Sequence, residues 1–407
     1  MSENSAGYPQ EAARTTLSRS DWFATIAGLS ANFVSIGLAR FGYTPLIPAL
    51  IDAHWFSPAM TVALGAANLA GYLIGAFAGK GMGTVLSNRL ALRVSMVLAT
   101  AAFFACAYPI SVSWFFVWRF ISGFAGGAIM VLVATTVLPH IPVLRRGFAG
   151  GMIFLGIGLG IVSSGTLVPA LLQFGVRETW IGLGILSVLL TAISWFGWPA
   201  FTPASTAEVT TGAEKAKERI ALRVLYAQYA LNALGVVPAM ILLVDYVARG
   251  LGRGAEIGAA YWVIYGLAAA AGPILCGYVA DKIGFREAYR IVLVLQAIAA
   301  AFLAFSEHWV VIGVTAILLG AFTPGIVPIV FGRICEILPH NYVAQRTAWG
   351  RTAMAFALFQ ALGAYGYAFL FSHTDENYSL IFLCGSFALI MALLADFALF
   401  LLMRRSR

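Results

Sequence analysis

An arginine lies in the middle of the first long apolar stretch of the chain, within the sequence GLARFGYTPLIP that runs from Gly37 to Pro48. A guanidinium near the centre of a membrane helix costs roughly 2.5–3.5 kcal/mol on insertion scales, so it normally faces a protein interior or a watery cavity. Arg40 therefore indicates a cavity along a ligand path.

A second arginine, Arg119, lies within another apolar stretch, and neither stretch holds an Asp or Glu short of its boundaries. Two neighbouring guanidinium groups repel each other unless an anion lies between or beside them. An arginine fork holds a carboxylate or phosphate through two parallel hydrogen bonds. An organic anion is thus the expected ligand, although Arg119 has an alternative structural role as a donor to the carbonyls of a helix break.

Neutral polar side chains accompany the two arginines. Asn32, Arg40 and Tyr43 recur at helical spacing and are expected on one helix face. Later segments add amides and aromatic rings, among them Tyr229 and Trp262. The candidate substrate-binding residues are Arg40, Arg119, Asn32, Tyr43, Gln228, Asn232, Tyr265 and Gln360. For each of the neutral ones the alternative is a hydrogen bond or an aromatic contact between helices.

Candidates for proton coupling are few. The five histidines all fall in loops or at the ends of apolar segments, so no histidine relay crosses the core. Asp396 lies deep in the last segment and is expected to pair with a base. Asp245 lies at the outer end of the seventh segment and is the better proton-site candidate.

Enzymatic and metal chemistry find little support. Val162–Gly165 reads VSSG and lacks the first glycine of a GxSG nucleophile motif, and the chain contains no HExxH. The four cysteines show no CxxC spacing, so neither a disulfide framework nor a zinc site is indicated. We predict no enzyme activity, no cofactor and no metal.

The elements that position these residues are membrane helices. The chain of 407 residues is 61% hydrophobic and 10% charged, far from the soluble norm of about 50% and 25%. With roughly 20 apolar residues needed for each crossing, the sequence predicts twelve spans. They cover 22–51, 57–79, 91–109, 112–138, 149–172, 180–201, 223–247, 257–280, 288–305, 309–334, 346–371 and 379–403.

The distribution of positive charge supports this count. With both termini inside, 19 of the 25 basic residues fall in inside segments, three in outside loops and three within spans. Short cytoplasmic loops are rich in Lys and Arg, and a wrong span count would destroy the bias. A net charge of +8 on such a chain does not indicate nucleic-acid binding, because no solvated basic domain is present.

The chain divides into two similar halves. Leu138-Pro139-His140 recurs as Leu338-Pro339-His340, and Gly42-Tyr-Thr-Pro45 corresponds to Gly235-Val-Val-Pro238. Matches in order and in corresponding spans favour a duplicated six-helix unit with a central site. The predicted parts are a cytoplasmic tail 1–21, a bundle 22–201, a cytoplasmic linker 202–222, a second bundle 223–403 and a cytoplasmic tail 404–407.

The two arginines do not recur in the second half. Their counterparts are Ala233 and Leu319. The positive field is therefore confined to one half, which favours a monocarboxylate or similar small anion over a doubly charged phosphate ester.

The loop after the eighth span, from Gly277 to Arg286, reads GYVADKIGFR and resembles the cytoplasmic gate signature of the major facilitator superfamily. Arg119-Phe-Ile-Ser-Gly123 is similar to the fourth-helix signature of that family, and ARFGYTPLIP to a poorly characterised bacterial subfamily. The resemblance implies a fold of twelve helices in two pseudo-symmetric bundles, in which the first, fourth, seventh and tenth helices line the cavity. The gating residues that it implies are Gly277, Asp281, Lys282, Gly284 and Arg286.

The resemblance is incomplete at two places. Gly79 stands where the first-half loop would carry the counterpart of Asp281, so a symmetrical charge gate is not predicted. In the fifth span, Ile161 follows Gly156-x-Gly158-x-Gly160 where an antiporter signature would place proline. Small residues four apart are explained by close helix packing.

We therefore expect a bacterial inner-membrane protein, monomeric in the bilayer, that transports a small organic anion by alternating access. Protons or an exchanged solute are the candidate coupling partners. The alternative is a proton-driven exporter of drugs or sugars, which would need a titratable acid in the cavity.

Overall fold

The computed structural model describes residues 16–200, 212–339 and 341–405, and within these ranges the regular structure is entirely helical. Twelve long helices, α1–α12, account for most of it. They are α1 (Arg19–Asn32, continued as the π-helix Phe33–Phe41), α2 (Pro58–Val85), α3 (Asn88–Cys106), α4 (Val112–Val137), α5 (Arg146–Gly165), α6 (Val176–Ser194), α7 (Gly212–Asp245, continued as the π-helix Tyr246–Gly250), α8 (Ala255–Ile283), α9 (Phe285–Phe305), α10 (Trp309–Ile337), α11 (Tyr342–Ser372) and α12 (Tyr378–Arg405).

Eleven of the described helices are long and apolar enough to cross a membrane, and α2 contains the shorter apolar segment Leu64–Gly79. The predicted all-helical membrane fold is confirmed, and the number of spanning helices is close to the predicted twelve. The predicted linker 202–222 lies outside the described residues up to position 211, and from Gly212 onward it forms the first turns of α7. The domain boundaries remain predictions.

Serine residues begin several of the helices. The Ser18 hydroxyl accepts a hydrogen bond from the Asp21 amide, and the Asp21 carboxylate accepts one from the Ser18 amide. The two residues thus form a capping box at the start of α1. The hydroxyls of Ser57 and Ser111 accept hydrogen bonds from the amides of Met60 and Trp114 and so cap α2 and α4. Since the first amides of a helix lack intrahelical acceptors, these side chains fix where the helices start.

The helices form two groups. In the N-terminal half, α1–α6, helix α2 packs along α4; in the C-terminal half, α7–α12, helix α7 packs on α11 and α12. The most extensive contact between the halves is that of α5 with α8. Glycines make it possible, because a Cβ added at Gly151 would lie 2.3 Å from the carbonyl oxygen of Pro273, and one at Gly158 would lie 2.4 Å from that of Ala269.

Glycines also bring α1 close to α5. A Cβ added at Gly160 would lie 1.9 Å from the Cα of Gly37, and one at Gly156 would lie 2.2 Å from the carbonyl oxygen of Leu29. The glycines of the fifth segment therefore act as contact points between helix backbones, as expected from their spacing. This packing fixes the segment of α1 that carries Arg40.

Candidate substrate-binding site

A cavity between the two halves contains about 650 Å³ of space free of protein atoms, part of it open to solvent. Eight helices contribute side chains to it, four from each half: α1, α2, α4, α5, α7, α8, α10 and α11. The lining residues are Ile36, Arg40, Phe41, Tyr72, Met130, Ile157, Ile161, Tyr229, Met240, Trp262, Tyr265, Thr323, Pro324, Val327, Phe356 and Gln360. The cavity is mostly apolar, with few convergent polar groups, as is usual for small-molecule sites.

Arg40 reaches this cavity from the π-helical part of α1. Its Nη2 donates a hydrogen bond of 2.6 Å to Oε1 of Gln360 on α11, which joins the two halves. Its guanidinium carbon lies 5.6 Å from the ring centroids of Phe41 and of Tyr72. Among the described residues, no salt bridge includes Arg40. The predicted cation in a cavity thus lacks an anionic partner in the described part of the chain.

Arg119 lies deeper, inside the N-terminal half. It is 3% exposed, and its Nη1 donates to the carbonyl oxygen of Ala39 at 2.6 Å. Its guanidinium carbon lies 4.1 Å from the centroid of the Tyr43 ring, an arrangement in which the ring attracts the cation. Arg119 is absent from the lining of the central cavity. Its contacts are those of the structural role considered above.

The expected shared face of α1 is not observed. Ile36 and Arg40 line the cavity, whereas Asn32 donates to the carbonyl oxygen of Ile153 on α5 and Tyr43 donates to that of Thr61 on α2. The prediction assumed α-helical spacing, but α1 is π-helical from Phe33 to Phe41. A π-helical turn contains more residues than an α-helical turn, so Tyr43, seven residues after Ile36, no longer lies on the face of Ile36 and Arg40.

Two predicted amides of the C-terminal half also face other helices. Gln228 is 2% exposed and donates to the carbonyl oxygen of Ala392, and Asn232 is 1% exposed and donates to Oε1 of Gln296. By contrast, Gln360 and Tyr265 do line the cavity. The structure therefore brings together Arg40, Gln360 and Tyr265 of the predicted set.

Sequence reasoning missed several lining residues, among them Tyr72, Met130, Met240 and Phe356. Phe356 precedes Gln360 by four residues, so helical spacing alone would have placed it on the same face. Tyr72 and Met130 give no such signal, because they lie in segments that are apolar all round.

The halves meet tightly at one end of the cavity, which we call the inner end and define by Asn88, Gly147, Asp281 and Arg346. The Asp281 carboxylate accepts hydrogen bonds of 2.8 Å from the amides of Gly147 and Phe148, the first turn of α5. A carboxylate at a helix N-terminus is favoured by the helix dipole and by the free amides there. The amides that bind Asp281 belong to the opposite half.

Three further contacts seal the inner end. Arg346 on α11 donates to Oδ1 of Asn88 at 3.0 Å. The indole of Trp349, fully buried, donates to the carbonyl oxygen of Met130 at 2.8 Å. A Cβ added at Gly277 would lie 2.0 Å from the carbonyl oxygen of Gly147. The structure thus has the cavity closed at its inner end.

The remaining predicted gate residues lie within the C-terminal half. Lys282 lies 4.4 Å from the ring centroid of Tyr278, and Arg286 lies 3.8 Å from the buried carboxylate of Asp396. Gly284 joins α8 to α9 with a φ of +89°, a conformation that favours glycine. Of this set, Gly277 and Asp281 make the contacts described here to the opposite half.

Asp245 lies at the outer end of α7 and is absent from the cavity lining. Its carboxylate pairs with Arg249 and accepts a hydrogen bond of 2.6 Å from the Tyr378 hydroxyl. The described residues contain no group of three or more His, Cys, Asp or Glu side chains that could hold a metal ion.

Two six-helix halves that enclose a central cavity, closed at one end by contacts between the halves, define the class of major facilitator transporters. The chain belongs to the family described as "Uncharacterised MFS-type transporter YbfB", which it matches over residues 32–397. It is therefore a multi-pass membrane protein from a family of transporters, not of enzymes.

Two curated relatives match part of the chain. The inner membrane metabolite transport protein YdjE of Escherichia coli K12 is 23% identical over 171 residues, which cover 41% of this chain and 36% of that protein. The 4-hydroxybenzoate transporter PcaK of Acinetobacter baylyi ADP1 is 29% identical over 164 residues, which cover 38% of this chain and 34% of that protein. The chain thus spans about a third of the length of these two relatives.

Among solved structures, the human organic anion transporter MFSD10 (TETRAN) superposes with a TM-score of 0.74 at 15% identity. The match covers 93% of this chain and 100% of that chain. At this identity the likeness shows the shared fold alone.

Proposed function

We propose that this protein is a secondary active transporter that moves a small organic anion, monocarboxylate in kind, by alternating access between its two halves. The observation that carries the proposal is Arg40, a cation in the central cavity without an acidic partner among the described residues. Because the Gln360 amide oxygen is a neutral acceptor, a carboxylate would bind the guanidinium more strongly and would compensate its charge. The partial relative named as a 4-hydroxybenzoate transporter is consistent with this class.

In this proposal the anion binds Arg40 and Gln360, with Tyr265 nearby, whereas Arg119 supports α1 from behind. Asp281 and Gly277 form the inner gate, which separates when the halves rock. Coupling to protons or to a counter-substrate is part of the proposal, with Asp245 as the candidate proton site. Asp245 lies at the end of α7 that is opposite to the inner gate. Any coupling through Asp245 would therefore act from that end of the molecule.

Following the charge bias of the loops, we further propose that the protein lies in a bacterial inner membrane with both termini cytoplasmic. The closed inner end then faces the cytoplasm. Reporter fusions at the two ends and within the outer loops test this orientation. A translocated reporter at either terminus would contradict it.

The central experiment uses purified protein in liposomes with a panel of labelled monocarboxylates, amino acids, sugars and cationic drugs. We expect saturable uptake of at least one monocarboxylate, lost in Arg40→Lys because a lysine cannot hold a carboxylate by two parallel hydrogen bonds. Arg177→Lys, at an exposed arginine beside Tyr108, is the matched control and should transport normally. Transport of neutral or cationic compounds alone, unimpaired in Arg40→Ala, would refute the proposal.

A further inference from the structure

The wall of the central cavity is unusually rich in rings. Six of the sixteen lining residues are aromatic: Phe41, Tyr72, Tyr229, Trp262, Tyr265 and Phe356. Met130 and Met240 add polarizable sulfur atoms, which make favourable contacts with aromatic rings. The wall therefore suits a ligand body that is apolar and itself polarizable.

The polar groups of the cavity are too few for a polyhydroxylated ligand. Arg40 carries the one formal charge among the lining residues, and the neutral polar groups are the side chains of Gln360 and Thr323, three tyrosine hydroxyls and the indole N–H of Trp262. The Tyr265 hydroxyl already donates to Thr323, which in turn donates to the carbonyl oxygen of Leu319. A sugar would leave many of its hydroxyls unpaired on burial, which is costly. A second carboxylate would likewise lack a cation.

The rings on the C-terminal side occur as two held pairs. Trp262 and Tyr265 are stacked, with centroids 4.9 Å apart and planes 9° apart. Tyr229 and Phe356 lie 4.6 Å apart at 34°. In each pair one member, Tyr265 or Tyr229, is 1% exposed, and its partner remains partly exposed and lines the cavity. Each buried ring thus holds its neighbour in place as a preformed flat surface, which limits the ordering cost of binding.

The charge and four of the six rings come from opposite halves of the molecule. Arg40 belongs to α1, whereas Trp262 belongs to α8 and Phe356 to α11. A ligand with an anionic group at one end and a flat apolar body at the other would contact both halves at once. Such a ligand has differential contacts with the closed and open arrangements, which alternating access requires.

We propose that the substrate is an aromatic monocarboxylate, whose carboxylate binds Arg40 while its ring lies against Trp262 and Phe356. This inference rests on the proposed transport of an organic anion and narrows its substrate class. Aromatic pairs prefer offset-stacked or edge-to-face contacts, which are more favourable than the same apolar area without a ring.

The test compares benzoate with cyclohexanecarboxylate, which share the carboxylate and a six-membered ring but differ in planarity and π-electrons. Binding to the purified full-length protein is measured by calorimetry and by competition for uptake into liposomes. We expect benzoate to bind more tightly by roughly 2- to 12-fold, the ratio that one favourable ring contact supplies. Equal or tighter binding of cyclohexanecarboxylate would overturn the inference.

Substitutions at two positions locate the preference. Trp262→Leu should lower the benzoate ratio, whereas Trp262→Phe should largely retain it because it keeps a ring. Phe356→Leu provides a second variant with the same expectation as Trp262→Leu. An unchanged ratio in both leucine variants would place the ring elsewhere and overturn the assignment.

The outcomes separate this inference from the proposal on which it rests. Uptake of short aliphatic carboxylates such as acetate or lactate, dependent on Arg40 and without competition by benzoate, would refute the aromatic class and leave anion transport intact. Failure of every carboxylate to bind or to be transported would refute both.

Discussion

Helix α1 and helix α7 share the pattern Gly-x-x-Pro with an aspartate seven residues later, yet they differ in structure. Helix α1 becomes π-helical at Phe33 and breaks into a turn over 42–45, before the short helix Leu46–Asp52. Helix α7 continues through Gly235 and Pro238 to Asp245. The same Gly-x-x-Pro spacing therefore does not by itself determine where a helix breaks.

The two halves also differ in the side chains that they carry at corresponding positions. The irregular segment of α1 carries Arg40, and its carbonyl at Ala39 is bonded by Arg119. At the corresponding positions the C-terminal half has Ala233 and Leu319, both buried at 1% exposure or less. Interrupted membrane helices are commonly the places where ligands bind, and π-helical turns often coincide with functional sites. One half thus supplies the charge, and the other supplies four of the six lining rings.

The largest expected effect is on anion affinity, and it distinguishes Arg40 from Arg119. Arg40→Met removes the cation that faces the ligand, so we expect anion affinity to fall by about 2–5 kcal/mol, or roughly 30-fold and more. The melting temperature without ligand should change little, because Arg40 has a single hydrogen bond among the described residues. Calorimetry and thermal unfolding of the ligand-free protein measure the two quantities.

Arg119→Met provides the matched comparison. It leaves the carbonyl of Ala39 without its donor, and an unsatisfied buried acceptor costs about 1–3 kcal/mol. We expect a melting temperature lower by a few degrees and a smaller loss of affinity than in Arg40→Met. An Arg119 variant with normal stability and no anion binding would instead give Arg119 a direct contact with the ligand.

The next effect concerns the close approach of the halves at the inner end. Gly277→Leu places a side chain where even a Cβ would lie 2.0 Å from the carbonyl oxygen of Gly147. The closed inner end cannot accommodate it, so we expect the population to shift toward an open inner end and uptake to fall by at least tenfold. Gly81→Leu on α2 is the control, because no atom lies within 4 Å of its added Cβ.

Spin labels on Val85→Cys and Val343→Cys, two exposed positions at the inner ends of α2 and α11, report this opening as a longer distance. The four native cysteines would be replaced first. An unchanged distance in Gly277→Leu would show that the α5–α8 contact does not control closure of the inner end.

A smaller shift toward an open inner end is expected for Asp281→Asn. The amide keeps a similar shape but loses the charge that favours the N-terminus of α5, an interaction of about 0.3–2 kcal/mol. We expect a partial opening of the inner end and roughly a two- to tenfold slower uptake. The same labelled positions measure it, and a fully closed inner end with normal uptake would remove Asp281 from the gate.

The architecture was largely predictable from the sequence, because the length and apolarity of each segment follow from the thickness and apolarity of the bilayer, and the loop charges follow the bias of Lys and Arg toward cytoplasmic loops. Arg40 was predictable as well, since a cation in an apolar helix needs a cavity. The faces of α1 were not, because nothing in the residues from Phe33 to Phe41 signals a π-helix. Asn32 and Tyr43, expected on the face of Arg40, instead donate hydrogen bonds to α5 and α2.

Amides show the same limit of sequence reasoning. Gln228 and Gln360 are both single amides in apolar helices, and no local pattern tells one from the other. What distinguishes them is the tertiary neighbour: the backbone of α12 for Gln228, and the guanidinium of Arg40 for Gln360. Partner choice of this kind depends on contacts between distant segments, which a single sequence does not encode locally.

The smallest expected effects compare two glutamines, Gln360 in the cavity and Gln228 at the contact with α12. Gln360→Leu removes the acceptor that orients Arg40 and a neutral donor from the cavity, so we expect about a three- to tenfold loss of affinity, in line with the net contribution of one ordinary hydrogen bond. Gln228→Leu, whose amide donates to the carbonyl oxygen of Ala392, should change affinity by less than about twofold and affect thermal stability instead. Uptake and binding of the same monocarboxylate compare the two.

If Gln228→Leu weakened binding as much as Gln360→Leu, both amides would have to reach the ligand in another arrangement of the halves. The contrast between a charged N-terminal wall and a more aromatic C-terminal wall would then hold only for the arrangement with a closed inner end.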